Sequence, residues 1–251
     1  VMARTILEVI GLNKHFGGIH VTRSVNFSMA EGEQVAIIGP NGAGKSTFFN
    51  LLTGHHAPDE GRVIFNGQDI TRWPAHKIVR VGISRSFQIS NIFPKLTVLE
   101  NVRSAVHAHI GVTMNMFARA DRTGVEETER VLALCGLADK VDDLAGRLSQ
   151  GDKKKLELAI ALANQPTLLL LDEPTAGMSR EETQETMALV DRLNRDLSLS
   201  MLFTEHDMSV VFNHAQRVTL LHRGEIMVEG SPNEVRDNRT AQKIYLGEHN
   251  L

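Results

Sequence analysis

The sequence lacks the means for an internal disulfide: among 251 residues there is one cysteine, Cys135, and a lone thiol fits a reducing compartment. It also lacks a basic excess. Its 27 Lys and Arg against 30 Asp and Glu give a formal charge of −3 and a pI near 6.4, which removes nucleic acid as the default partner. No apolar run approaches the roughly 20 residues that a membrane-spanning helix needs. The N-terminal "VMARTILEVI" has no apolar signal-peptide centre, and neither an internal repeat nor a low-complexity tract is present. These absences predict a cytoplasmic chain. What is there, 42% hydrophobic residues, is enough to bury a sizeable core in one large domain or two unequal lobes.

Along the chain, short β-prone runs bounded by turn residues fill the first ninety positions: "ILEVIGL", "VNFSMAEGE", "QVAIIGP", "RVIFNGQDI" and "VGISRSFQ". From Thr97 to Asn164 the spacing becomes helical, with Val125, Val131, Leu132, Leu134 and Leu137 mostly sharing one face, which predicts a separate helical lobe. Beyond it, "TLLLLDEP" reads as a strand buried on both faces. "SREETQETMALVDRLNRDL" reads as a helix capped by Ser179, with Glu182 three residues on. The strand "SMLFTEH", a helix starting near Met208, strands at "RVTLLHRG" and "EIMVEG" and a helical tail from Pro232 follow. Strands alternating with helices predict a largely parallel, doubly wound sheet.

"GPNGAGKST" follows the strand "QVAII" and opens the helix "STFFNLLTG". That context distinguishes a phosphate-binding loop from a flexible glycine-rich turn. Gly39, Gly42 and Gly44 let backbone N–H groups turn inward around anionic oxygens, and the helix N-terminus adds its positive end. Pro40, Asn41, Ala43 and Thr47 complete the cradle. Lys45 would reach the β- and γ-phosphates, and Ser46 would offer its hydroxyl to Mg²⁺.

Asp172 and Glu173 end a buried strand, where a carboxylate needs a compensating partner. A magnesium ion at the loop would be one. Asp172 would then hold the ion through its water shell, and Glu173 would polarise the attacking water as general base. Taken alone, the two could also merely cap the next helix. In a parallel sheet His206 reaches the same edge, within range of a γ-phosphate, although a lone histidine is ordinarily structural or exposed. Gln88, at another strand end, has an amide able to sense magnesium or water.

In this order the phosphate loop, Gln88, "LSQGD", "LLLLDEP" and His206 resemble the ATP-binding cassette of ABC transporters over nearly the whole chain. The resemblance implies an α/β P-loop NTPase: a RecA-like core sheet with an antiparallel β subdomain and a helical subdomain. It implies a core lobe of residues 1–88 and 165–251, a helical subdomain of residues 89–164, and the cofactors ATP and Mg²⁺. Ser149 and Gly151 fall in the family signature, usually LSGGQ, which faces the γ-phosphate held by a second subunit in a head-to-tail dimer. Gln150 and Asp152 depart from it. A Ser hydroxyl and exposed N–H groups at a helix N-terminus do form an anion site, but "LSQG" could also simply cap its helix. Phe16 lies where the family stacks an aromatic on adenine; a lone Phe after a strand would otherwise pack in the core. "TAGMS", Thr175–Ser179, matches the loop between subunits, with departures at Met178 and Ser179.

A narrower similarity, in "FGGIHVTRSVNFSMAEGE", "FPKLTVLENV" and the closing "IYLGE", is to the ATPase subunits of branched-chain amino acid importers and of relatives that import urea, short amides or aromatic acids. It implies permease partners, an external solute-binding protein acting indirectly, and a place on the inner face of the cell membrane. The rivals are a soluble cassette that remodels chromosomes or ribosomes, and the ATPase of an exporter. The long coiled coil or second cassette usual in the former is absent. Histidines at 55 and 56, and at 107 and 109, gather no Cys or carboxylate cluster and read as surface positions. "DKKK" reads as a solvated helix face.

Overall fold

The computed structural model describes residues 4–86, 92–110 and 120–247. Gln88 lies outside the described residues. The first two strands, β1 (Thr5–Phe16) and β2 (Ile19–Ala30), are longer than the short runs expected, because register shifts such as that between Val9 and Leu12 let one ribbon twist through its whole length. With β4 (Glu60–Phe65) and β5 (Gln68–Asp69) they form an antiparallel sheet in the order β2-β1-β4-β5.

The core sheet has six strands in the order β10-β9-β3-β8-β7-β6: β3 is Gln34–Ile38, β6 Ile83–Ser86, β7 Leu168–Asp172, β8 Ser200–Thr204, β9 Arg217–His222 and β10 Glu225–Gly230. Every pairing in it is parallel except β9 with β10. The exception has a simple cause. Only residues 223 and 224 separate β9 from β10, and a two-residue connection can join antiparallel strands alone.

Alternation along the parallel strands divides the core between two faces. Leu168 and Leu170 of β7 and Val35 and Ile37 of β3 join Phe48, Phe49, Leu51 and Leu52 of α1 (Lys45–Leu52) on one side. Leu169, Leu171, Ala36 and Ile38 join the opposite core. That second core includes residues of α3 (Val98–Ile110), α5 (Gln150–Leu162) and α6 (Arg180–Leu197). All four leucines of β7 are fully buried, at roughly 1.5–3 kcal/mol each. A strand anchored on both faces gives Asp172 at its end a fixed position.

The middle segment is helical, with α3, α4 (Ala120–Leu134) and α5 packed on one another. Val131, Leu132 and Leu137 are buried with Cys135, whose thiol is pushed up to about 12 by desolvation. His107 departs from the surface reading, since its Nε2 is buried. Helix α6 begins with the expected capping box: Ser179 Oγ accepts from the Glu182 N–H, and the Ser179 N–H donates to Glu182 Oε2. Helices α2 (Ala75–Arg80), α7 (Met208–His214), α8 (Pro232–Asp237) and α9 (Arg239–Gly247) complete the fold. Among the described residues no helix is long and apolar enough to cross a membrane.

Candidate active site

Parallel pairing puts the C-terminal ends of β3, β8, β7 and β6 along one edge of the core sheet, so residues far apart in sequence meet there. The loop 39–44 leaves β3 and runs into α1, whose N-cap, Gly44, has φ +105 and no side-chain cap, leaving the first-turn N–H groups to a ligand. Lys45 is buried and donates to the carbonyls of Gly39 at 2.5 Å and Pro40 at 3.2 Å. Burial lowers its pKa from 10.5, and the nearby Glu173 and Asp172 carboxylates oppose that shift. Asn41 and Ser46 are exposed at the mouth, and Thr47 is half-buried.

The back of the loop is supported by the β9–β10 turn. The Gly224 N–H donates to the Ala43 carbonyl at 2.9 Å, and the Arg23 N–H donates to the Gly224 carbonyl at 2.8 Å. A Cβ at Gly224 would meet the Val21 carbonyl oxygen at 2.3 Å. Gly67 in the β4–β5 turn has nearly the same backbone, φ +77 against +84, with nothing within 4 Å. Both Gly→Ala substitutions therefore carry a left-handed penalty of about 1–2 kcal/mol, while only Gly224→Ala displaces the loop. By equilibrium binding, we expect Gly224→Ala to weaken ATP affinity about tenfold, roughly 1.4 kcal/mol, and Gly67→Ala to leave it unchanged. Equal affinities for the two variants would remove the turn from any role at the loop.

At the end of β7, Asp172 is buried and both its oxygens are engaged. Oδ1 accepts from Thr204 Oγ1 at 2.8 Å, and Oδ2 from Arg85 Nη2 at 2.5 Å. To the magnesium ion expected as a compensating partner for the buried carboxylate, β6 adds a guanidinium. Glu173 is half-buried and has a left-handed backbone, φ +50, held by its N–H bonds to the Thr204 carbonyl at 3.1 Å and Thr204 Oγ1 at 3.2 Å. Such a conformation in a non-glycine residue costs on the order of 1–3 kcal/mol and is a mark of functional sites. Glu173 Oε1 lies 3.0 Å from His206 Nε2. A carboxylate only accepts, so the proton of that bond sits on Nε2.

Glu205 was missed in the sequence. It is buried, accepts from both the N–H and the hydroxyl of Thr175, at 2.9 and 2.6 Å, and so ties the "TAGMS" loop to the segment carrying His206. Its signal was a carboxylate directly after a fully buried strand. Phe16 ends β1 and is 41% exposed, its ring edge-on to His56 at a centroid distance of 5.1 Å and with Lys14 Nζ 5.5 Å from the ring centre. The core-packing alternative for Phe16 therefore fails.

At the corner before α5, Ser149 caps the helix. Its Oγ accepts from the Asp152 N–H at 3.1 Å and lies 3.0 Å from Asp152 Oδ2. The expectation of exposed amides needs correction at Gly151, which is buried and donates its N–H to Glu182 Oε1 at 3.2 Å. The physical reason is proximity to the start of α6, where Glu182 has one oxygen left after closing its own capping box. Burial would raise the Asp152 pKa, but bonds from Lys140, at 2.5 Å, and Ser149 outweigh it and lower the value.

Residues 22–176 match the family model described as ABC transporter. The chain belongs to the ABC transporter ATP-binding family. It is 36% identical to the high-affinity branched-chain amino acid transport ATP-binding protein BraF of Pseudomonas aeruginosa, over 98% of this chain and all of that protein. Identity to LivG of Escherichia coli K12, which has the same description, is 34% over the same shares. The crystal structure of a nucleotide-free ATP-binding cassette from an ABC transporter superposes with a TM-score of 0.86 and 29% identity, over 96% of this chain and 99% of that one. A dimeric post-hydrolysis cassette bound to ADP and Pi gives 0.77 and 26%, over 90% and 99%. This cassette thus brings Lys45, Asp172, Glu173 and His206 to one sheet edge, with Phe16 exposed at the end of β1. The Ser149 corner opens the separate helix α5.

Proposed function

We propose that this cassette is the ATP-hydrolysing subunit of an importer for branched-chain amino acids or related small polar solutes, one half of a head-to-tail pair of cassettes on the inner face of the membrane, seated beneath separate permease subunits. The bond between Glu173 and His206 beside the Lys45 loop carries the catalytic part of this reading. The full-length similarity to BraF and LivG carries the transport part.

In this mechanism the loop amides of 39–44 and the Lys45 ammonium hold the triphosphate, and Phe16 stacks on the base. Glu173 takes the proton of the attacking water, and His206 holds the Glu173 carboxylate in position while its ring faces the γ-phosphate. Gln88, two positions after β6 in the sequence, would act as a sensor of magnesium or water. Ser46 and Asp172 offer hard oxygen donors that suit magnesium, and two such groups plus phosphate oxygens are a usual set for that ion. With Oδ1 and Oδ2 already engaged by Thr204 and Arg85, Asp172 would help hold the ion through water. Bound magnesium would supply positive charge that offsets the phosphates. Among the described residues no group of three or more His, Cys, Asp or Glu is placed to hold a metal ion.

From the partner subunit, Ser149 and the start of α5 would close over the γ-phosphate. Asp152 and Glu182 occupy that corner within one chain, so closure exchanges their contacts for phosphate oxygens.

The deciding experiment is uptake of labelled leucine, urea and aromatic acids by cells with and without this gene. The reading expects loss of leucine uptake on deletion and its return with the intact gene. Unchanged uptake of all three, with ribosomes or DNA and no permease copurifying from native membranes, would overturn it.

A further inference from the structure

Arg85 bridges two elements that a catalytic cation would also bridge. One nitrogen of its guanidinium bonds Asp172 Oδ2 at 2.5 Å, and another bonds Asn50 Oδ1 at 2.6 Å on α1. Its carbon lies 5.6 Å from the Phe49 ring centre. The ion pair is buried, with side-chain exposures of 9% for Arg85 and 3% for Asp172. Asn50 stands four residues after Ser46, so both lie on one face of α1. The guanidinium thus links Asp172 to the face of the phosphate-loop helix that also carries Ser46.

We infer that Arg85 is a positioning residue acting as the resident cation of this site: it neutralises Asp172 and keeps free divalent metal out until nucleotide brings its own. The argument is electrostatic. A buried carboxylate holds one strong counter-charge well, and a guanidinium fork bound at both ends is costly to displace. A divalent ion alone would have to displace Arg85 from Asp172 and gains only Asp172 and Ser46. Phosphate oxygens change the balance, because they offer the ion further ligands without requiring Arg85 to leave. Arg85 also sits one residue before the end of β6, beside β7 and its Asp172.

This inference rests on the nucleotide site proposed above, and its test separates the two. Mn²⁺ binding to the full chain is measured by electron paramagnetic resonance, with and without a nonhydrolysable ATP analogue, for the wild type and Arg85→Met. Analogue binding in EDTA is measured in parallel. The wild type should bind Mn²⁺ at least tenfold more weakly without the analogue than with it. Arg85→Met should bind Mn²⁺ without the analogue at least tenfold more tightly than the wild type, and adding Asp172→Asn should abolish that gain.

If Arg85→Met does not fold, Arg85→Lys carries the test. Its point charge can pair with Asp172 but cannot also span to Asn50, so a gain of severalfold is expected. Arg85→Met, or the substituted Arg85→Lys, binding the analogue normally in EDTA yet showing no gain in Mn²⁺ affinity would overturn the inference. So would a wild type that binds Mn²⁺ equally tightly without analogue. A wild type that fails to bind the analogue would instead sink the nucleotide site itself, while the comparison of Mn²⁺ binding without analogue still decides the role of Arg85.

Discussion

Glu173→Gln should lower the rate of ATP hydrolysis by roughly 10²–10⁴-fold, the usual contribution of a positioned general base, while ATP binding stays near the wild-type level. The substitution preserves shape. The amide oxygen can still accept from His206 Nε2, now 3.0 Å from Glu173 Oε1, and the left-handed backbone remains held by Thr204. What disappears is the ability to take a proton from water. Phosphate contacts made by the loop and Lys45 are untouched, so substrate should bind and stall. Because the proposed pairing holds the triphosphate between two chains, the variant should accumulate as an ATP-dependent dimer, visible by light scattering. Adding Ser149→Arg should dissolve that dimer by placing a long cation against Asp152 and Glu182 in the corner meant for the partner's phosphate. Wild-type turnover in Glu173→Gln would remove Glu173 from its role, and a stalled species that remains monomeric would remove the sandwich.

The local features of this cassette were open to reading from sequence, while its charge pairings were not. "QVAII" followed by "GPNGAGKST" announces a strand, a loop and a helix, because each step is a local preference of the backbone. "LLLLD" announces burial on two faces, since no polar residue interrupts it, and the core divides its leucines alternately between those faces. The capping box of α6 likewise spans only four residues. Arg85 is different. Its partner Asp172 lies 87 positions away, and only the pairing of β6 with β7 brings the two together. Sequence reasoning required a counter-charge for a buried carboxylate and assigned that demand to an ion, although an arginine inside a short β-prone run was the available signal. Glu182 shows the same limit. Its place in the α6 cap was legible, but its second bond, to the Gly151 N–H of another helix, depends on how α5 and α6 pack.

Lys45→Ala should weaken ATP binding by roughly 10–150-fold, because a hydrogen bond to a charged group contributes about 1.5–3 kcal/mol and no other described cation is placed in the loop itself. The ammonium is buried and held by the Gly39 and Pro40 carbonyls, so it is already directed into the loop before phosphate arrives. Truncation also opens a void, and Lys45→Met separates the two effects by keeping most of the side-chain volume without the charge. Both variants should lose affinity; retention of tight binding by Lys45→Met would mean that packing, not charge, is what Lys45 supplies. A pH titration gives an independent readout. Desolvation lowers the Lys45 pKa from 10.5, more than the Glu173 and Asp172 carboxylates restore. The cationic form is the one that binds phosphate, so wild-type affinity should begin to fall at a lower pH than an ordinary lysine would dictate. Lys45→Met has no such proton to lose and should show no corresponding fall, and identical pH profiles for the two proteins would place the phosphate-binding charge elsewhere.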